Sequence, residues 1–396
     1  MKESDCIISM RKLNTVIKDG TVDYMFGECE FKRKIIDTLL SLYKKWGYAE
    51  IMTPIIEYKD VFSGYAVGEM IKEEDIYIFS DEKNRRLAIR PDCTMPIARV
   101  AASKLKNTTV PFRLCYSQTT VRANSLPLES TQSGVELIGA KGISADTEIL
   151  VLAAKSLAET DSSFRIELGY GLLFSTLVEE YGINPELAEQ AKEHIERKNF
   201  AALAAMDIPE VIKKLPRYFG DVSVLDEYAK MVDSPKIKEM LDYLKQLYSK
   251  LSECGFAEHI DFDLGIVNSL DYYTGIIFRG YITDSGSAVL SGGRYDNLLE
   301  KYGTAFPAIG FAINIDNVFE AKKGGSTADS IPDILVNAAE NCEAKAFAEA
   351  EALSDKGVSF MFSYAGTEAD ALNEAKVRGI KKVIRLTSAG RMEYEI

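Results

Sequence analysis

The side chains best suited to chemistry gather in four short stretches of this 396-residue sequence. They are Arg90-Pro91-Asp92-Cys93-Thr94, Arg122 with Gln132 and Glu136, Leu270-Asp271-Tyr272-Tyr273-Thr274-Gly275, and Gly292-Gly293-Arg294-Tyr295-Asp296. Each sets charged or hydroxyl groups on what reads as a polar or glycine-rich strand end. Together they could line a pocket for a small zwitterion. A carboxylate such as Asp92 or Glu136 would meet an ammonium, and tyrosine hydroxyls would orient a polar ring. Spacing leaves a plainer alternative open, in which Arg90, Arg122 and Arg294 form ordinary ion pairs. Gly292 and Gly293 equally fit a bulge or a close backbone approach. In a strand, Tyr272 and Tyr273 face opposite ways, so Tyr272 reads either as a core residue or as a further pocket contact.

Other chemistries are poorly supplied. Only two histidines exist, His194 and His259, each in a polar stretch that reads as surface. Ser-His-Asp, Cys-His and histidine-rich metal sites have little to build on. The six cysteines lie far apart with no paired spacing, which reads as reduced thiols rather than a disulfide framework or zinc site.

The elements that must position these residues follow from periodicity. Apolar residues at helical spacing from Phe26 to Trp46 predict a helix closed by Gly47. Residues 49–58 predict a strand in which Pro54 marks an edge, a bulge or an interface. A hairpin is predicted over 75–90 with a polar turn at 81–84, then a helix over 96–105 and strands over 110–122 and 131–139. Residues 145–159 predict a helix with Asp146 and Glu148 in its favourable first turn. A helical insertion spans about 170–255, and strands return over 259–266, 272–282 and 287–293. A strand then runs into a helix over 310–321.

Gly, Ser and Pro between 322 and 332 mark a linker. A β-α-β-α-β order beyond it predicts a small two- or three-layer domain over 333–396. Lys376, Arg378, Lys381, Lys382 and Arg385 near its end read as a basic or simply solvated face.

A net charge of −13 disfavours broad nucleic-acid binding. No apolar run is long enough to span a membrane, and the start lacks a secretory pattern, so the expected location is the cytoplasm.

Taken in order, these motifs resemble those of histidyl-tRNA synthetases. Leu-Asp-Tyr-Tyr-Thr-Gly followed by Gly-Gly-Arg-Tyr-Asp resembles the histidine-specific motifs. Residues 49–58 resemble the dimer-forming first motif of class II synthetases, and 90–94 their Arg-Pro-Glu-Gly-Thr element. Residues 113–122 and 132–139 resemble the second motif and the strand after it, and 307–318 the third. The resemblance implies an α+β fold: a class II synthetase-like antiparallel sheet flanked by helices over 1–321, with the helical insertion and the small C-terminal α/β domain.

The departures matter as much as the matches. Where the synthetase pattern has an arginine and a glycine before Leu-Asp-Tyr-Tyr, this chain has Asn268 and Ser269. Where the third motif ends in an ATP-holding arginine it has Asn317, after Asp316, and Asn314 replaces a usual glycine. The stretch 123–130 is shorter than the synthetase loop and lacks its acidic and arginine contacts to ATP. Each lost charge-assisted bond is worth about 1.5–3 kcal/mol, and a neutral amide does not replace a guanidinium. The expectation is no adenylation and no enzyme, unless a neighbour such as Arg279 compensates.

A synthetase-like chain without those arginines resembles the regulatory subunits of ATP phosphoribosyltransferase, and Gln132–Gly139 looks closer to that family than to active synthetases. The resemblance implies a short-form catalytic partner in a hetero-octamer and a homodimer through the class II core. It also implies feedback by histidine on the first step of histidine biosynthesis, with no cofactor. Carried over by position, Asp92 and Thr94 match the pair that meets the ligand's amino group, with Gln132 and Glu136 as a polar pair. Tyr273 and Tyr295 match tyrosines near the imidazole, with Tyr272 beside them, and Arg122 is the retained second-motif arginine. An active histidyl-tRNA synthetase and a tRNA-binding paralogue are the competing readings.

Overall fold

The computed structural model describes residues 16–63, 71–267, 273–323 and 330–396. They form two compact units, one built chiefly on Glu30–Ser326 and the other on Thr327–Ile396. In the first, α1 (Gly27–Lys45) ends at Gly47, whose φ of 81° is the left-handed conformation a glycine cap supplies.

Strands β1 (Ala49–Glu50) and β2 (Ile56–Tyr58) follow, then the hairpin of β3 (Ile78–Ser80) and β4 (Arg86–Ile89). The single strand expected over 49–58 is in fact two. β1 pairs in parallel with β5 (Phe112–Val121), whereas β2 pairs with β4 in a separate three-stranded sheet. Pro54 sits at the break, where its missing N–H leaves no ladder bond unmade.

After α2 (Thr94–Ser103) and β5 come β6 (Glu129–Ile138), α3 (Ile143–Thr160) and β7 (Arg165–Tyr170). Helices α4 (Leu173–Glu180), α5 (Pro185–Glu196), α6 (Phe200–Ala205) and α7 (Glu210–Lys214) lead to the short β8 (Phe219–Gly220) and α8 (Ser223–Ala229). Helix α9 (Pro235–Glu253) starts with Pro at its first position, and the Ser234 hydroxyl accepts the Ile237 N–H as its cap. Strands β9 (Ile260–Asp263), β10 (Ile276–Tyr281), β11 (Leu290–Arg294) and β12 (Ala308–Asn314) complete the main sheet, and α10 (Ile315–Lys322) follows.

The nine-stranded sheet has the order β1-β5-β6-β12-β11-β10-β7-β9-β8. It is antiparallel except at β1–β5 and β7–β9. Its two faces differ sharply. On one, Val135, Phe311, Gly292, Phe278, Leu168 and Phe262 are successive ladder partners in one row, and its apolar side chains pack in the core that includes Leu39 and Tyr43 of α1. Helix α3 packs between this face and α9, which is why its buried residues run all round it. Burying each such Leu or Phe contributes about 1.5–3 kcal/mol.

The opposite face carries the rows Leu114–Glu136–Gly310–Gly293–Ile277 and Tyr116–Gly134–Ala312–Ser291. Small residues there let the Tyr116, Tyr273 and Glu136 side chains lie directly against the strands, because ladder partners share a face.

The two histidines serve structure or surface. His259 stacks on Phe164 with ring centroids 4.0 Å apart, half-buried rather than on the surface as expected, and His194 lies in α5.

The second unit has strand order β14 (Phe360–Ser363), β13 (Ile334–Ala338), β15 (Lys382–Thr387), β16 (Gly390–Glu395). Helix α11 (Glu343–Asp355) packs with Val336 and Ile384, whereas α12 (Glu368–Arg378) packs with Leu335 and Val383. Alternate strand residues thus meet different helices, giving three layers. The terminal hairpin partner β16 was not foreseen. The supposed basic face is dispersed: Arg385 is buried against Asn337, Lys382 pairs with Glu393, and Arg378 pairs with Glu374.

Candidate functional site

The glycine-lined face centres on Glu136, which is almost fully buried near the C-terminal end of β6. The Thr94 hydroxyl, on the first residue of α2, donates to its Oε1 at 2.8 Å, and the Tyr295 hydroxyl donates to its Oε2. Burial raises the carboxyl to about 8, against the lowering effect of those two hydroxyls; nearby Asp92 adds to the rise. Asp92 is itself buried, and burial pushes its carboxyl up. The backbone N–H of Met95 and the charge of Arg122 pull the other way. Its Oδ1 accepts that N–H at 2.9 Å, so part of its acceptor capacity is spent on the N-terminus of α2.

Below these groups the sheet has no side chains to spare. A Cβ on Gly310 would run into the Glu136 carboxylate and the Val135 carbonyl. A Cβ on Gly293 would come within 2.6 Å of the Tyr273 ring, which therefore lies over that glycine. Gly292 and Gly293 keep regular ladder partners, Phe278 and Ile277, so the glycine pair serves close approach and not a bulge.

Period-two alternation then separates the charged residues. Arg294 falls on the helix-packed face and Tyr295 on the other. Arg294 forms a buried ion pair with Asp146 of α3, whose other oxygen accepts the Tyr243 hydroxyl of α9 at 2.6 Å. It also pairs with Asp296 at 2.9 Å. Asp146, in the first turn of α3 as expected, is a buried ion-pair partner, whereas Glu148 lies beyond that turn and pairs with Arg113. Arg90 is likewise a structural clamp, donating to the carbonyls of Thr119 and Thr53 and to Gln118.

Asp92, Thr94, Glu136, Tyr273 and Tyr295 therefore come together. Arg122 and Gln132 line a neighbouring cavity of about 410 Å³, walled by Thr120, residues 125–128, the 287–291 segment, Ala312, Asn314 and Asn317. Arg122 uses its Nε to bond the Pro91 carbonyl at 3.1 Å, and among the described lining residues it alone is charged. The Asn314 side chain caps α10 by accepting the Asn317 N–H at 3.0 Å. Asn317 Nδ2 donates to the Ala288 carbonyl at 3.3 Å. Asp316 points elsewhere, bonding Lys32, Tyr24 and the Thr131 N–H. Tyr272, Asn268 and Ser269 lie outside the described residues.

Sequence reasoning missed Tyr116. Its buried hydroxyl lies on the same face and finds no hydrogen-bond partner among the described residues. The available cue was its phase, two residues before Gln118 and opposite a glycine on the next strand.

Among the described residues, no helix is long and apolar enough to cross a membrane. The family model for histidyl-tRNA synthetase matches residues 20–318. The ATP phosphoribosyltransferase regulatory subunit of Clostridium botulinum (strain 657 / Type Ba4) is 35% identical over 395 residues, covering 96% of this chain and 93% of that one. The protein of the same name from Clostridium kluyveri is 34% identical, covering 92% and 97%. Among solved structures, an ATP phosphoribosyltransferase regulatory subunit/histidyl-tRNA synthetase from Bacillus halodurans C superposes with a TM-score of 0.82 at 27% identity, covering 96% of this chain and 100% of that one. Histidyl-tRNA synthetase from a Nostoc species has a TM-score of 0.77 at 17% identity over 97% of each chain, a likeness of fold alone. The fold is that of the class II aminoacyl-tRNA synthetases, and with this identity along nearly its whole length the chain belongs to the family of ATP phosphoribosyltransferase regulatory subunits.

Proposed function

We propose that this chain is a non-catalytic regulatory subunit that acts on a short-form ATP phosphoribosyltransferase, with free histidine as the effector held beside Glu136. The observation that carries the proposal is the cavity next to that pocket. A reacting triphosphate needs several cations around it, yet Arg122 is the one charged residue among the described lining. Asn314 and Asn317, at third-motif positions, spend their polar atoms on the helix cap and on the 287–291 segment. The neighbouring pocket keeps a carboxylate, two hydroxyl donors and an aromatic wall, which suits an amino acid bearing a polar ring.

The wider arrangement follows from the same reading. Residues 1–321 form the core with the helical insertion over about 170–255, joined through 322–332 to the C-terminal domain over 333–396. Exposed Met52, Ile55, Ile56 and Tyr58 around β1 and β2 suit a homodimer seam there. The dimer works within a cytoplasmic hetero-octamer that performs the first step of histidine biosynthesis. Histidine acts by binding more tightly to the less active state of the assembly, and by linkage the catalytic partner alters histidine affinity in return.

The test is to combine the full chain with a short catalytic chain that is inert alone. Phosphoribosyl transfer should appear and then fall as histidine is added, and ATP–pyrophosphate exchange with histidine should stay at background. Robust exchange by this chain would overturn the proposal.

A further inference from the structure

We infer that the Tyr116 hydroxyl is an additional ligand-contacting group of the Glu136 pocket and helps set its specificity; this rests on the proposed occupancy of that pocket by histidine. Tyr116 lies at the centre of β5, directly across the ladder from Gly134 of β6. Its side chain is fully buried, and the hydroxyl oxygen has no hydrogen-bond partner among the described residues. A Cβ on Gly134 would come within 2.8 Å of that oxygen, so the hydroxyl is poised over a glycine, on the face that carries Glu136. Glu136, Cys93 and Asp92 are its electrostatic neighbours.

A buried polar group left unmatched is a standing destabilisation, one that a phenylalanine at the same place would avoid. The other polar groups here are matched: Thr94 and Tyr295 by Glu136, and Asp92 by the Met95 N–H. Tyr116 therefore offers a donor that only a group entering from the glycine-lined side meets. Glu136 accepts from the ligand while Tyr116 donates to it. The pocket thus demands a donor and an acceptor in one small molecule, as a neutral imidazole amino acid supplies.

The test is Tyr116→Phe in the full chain, with histidine binding followed by isothermal titration and thermal midpoints measured without ligand. The expected result is binding weakened by about five- to tenfold, the effect of one hydrogen bond, with an unliganded midpoint equal to or above wild type. Equal affinity in the two proteins overturns the inference while leaving the histidine pocket standing. Absence of histidine binding to wild type overturns the pocket reading, and the inference with it. A lowered midpoint with unchanged affinity marks a packing role only and also overturns it. Should the variant fail to fold, a crystal structure of wild type with histidine decides. A hydroxyl–ligand hydrogen bond supports the inference, and a hydroxyl bonded to water alone refutes it.

Discussion

Two depressions share one face of one sheet, and they handle polarity in opposite ways. Around Glu136, an ionisable carboxyl is kept and buried, and hydroxyls on α2 and on the residue after β11 converge on it. Around Arg122, the cavity of about 410 Å³ has one charged residue among its described lining, and Asn314 and Asn317 are tied to the backbone beside them. A shared scaffold therefore does not require a shared fate for its subsites. A buried carboxylate held by neighbours is costly to disturb, because removing a partner strands the rest. Surface amides next to a wide cavity are exchanged at little cost.

The largest expected effect comes from adding a single heavy atom to each region. Gly310→Ala drives a Cβ into Glu136 and the Val135 carbonyl, and should destabilise the protein by about 3 kcal/mol in chemical denaturation. Ala312→Ser, two residues along the same strand and facing the Arg122 cavity, should stay within about 0.5 kcal/mol. Similar losses for both would erase the contrast.

Next in size is Glu136→Gln, which should weaken histidine binding by roughly ten- to a hundredfold through loss of a carboxyl that can ionise against the ligand's ammonium; titration calorimetry reads it directly. Asn317→Arg addresses the other region. It should raise the affinity for free ATP by about tenfold, measured by equilibrium binding, while ATP–pyrophosphate exchange stays at background.

The remaining effect is one of pH. Glu136 holds its proton more tightly in the folded chain, near 8, than the ordinary 4.5 of an exposed glutamate. Folded protein therefore binds more protons than unfolded between those values, and stability falls as pH rises through that window. The slope of thermal midpoint against pH between about 5 and 8 should be steeper for wild type than for Glu136→Gln.

Much of this was readable from the sequence, and what was not has identifiable causes. Ordered motifs gave the class of fold and brought Asp92, Thr94, Glu136, Tyr273 and Tyr295 together. Arg90 and Arg294 looked as eligible as Arg122 by type and spacing. What distinguishes them is phase and partner: Arg294 falls on the helix-packed side of β11 and meets Asp146, far away in sequence. The strand over 49–58 was read as one because its apolar residues run continuously. Pro54 allowed an edge or a bulge, and nothing local says that its two halves join different sheets. Strand β16 went unseen because Arg391, Met392 and Glu393 are all exposed, so no alternation of apolar residues advertised it.

The bed of glycines under Glu136 has an evolutionary consequence. Gly134, Gly293 and Gly310 exclude a side chain because backbone or ring atoms already fill the space, whatever molecule visits the pocket. A deep mutational scan read out by folding alone should therefore show a band of intolerance crossing β6, β12 and β11. Lineages that abandoned one chemistry for another would still inherit that band, and selection for shape would outlast selection for the original reaction.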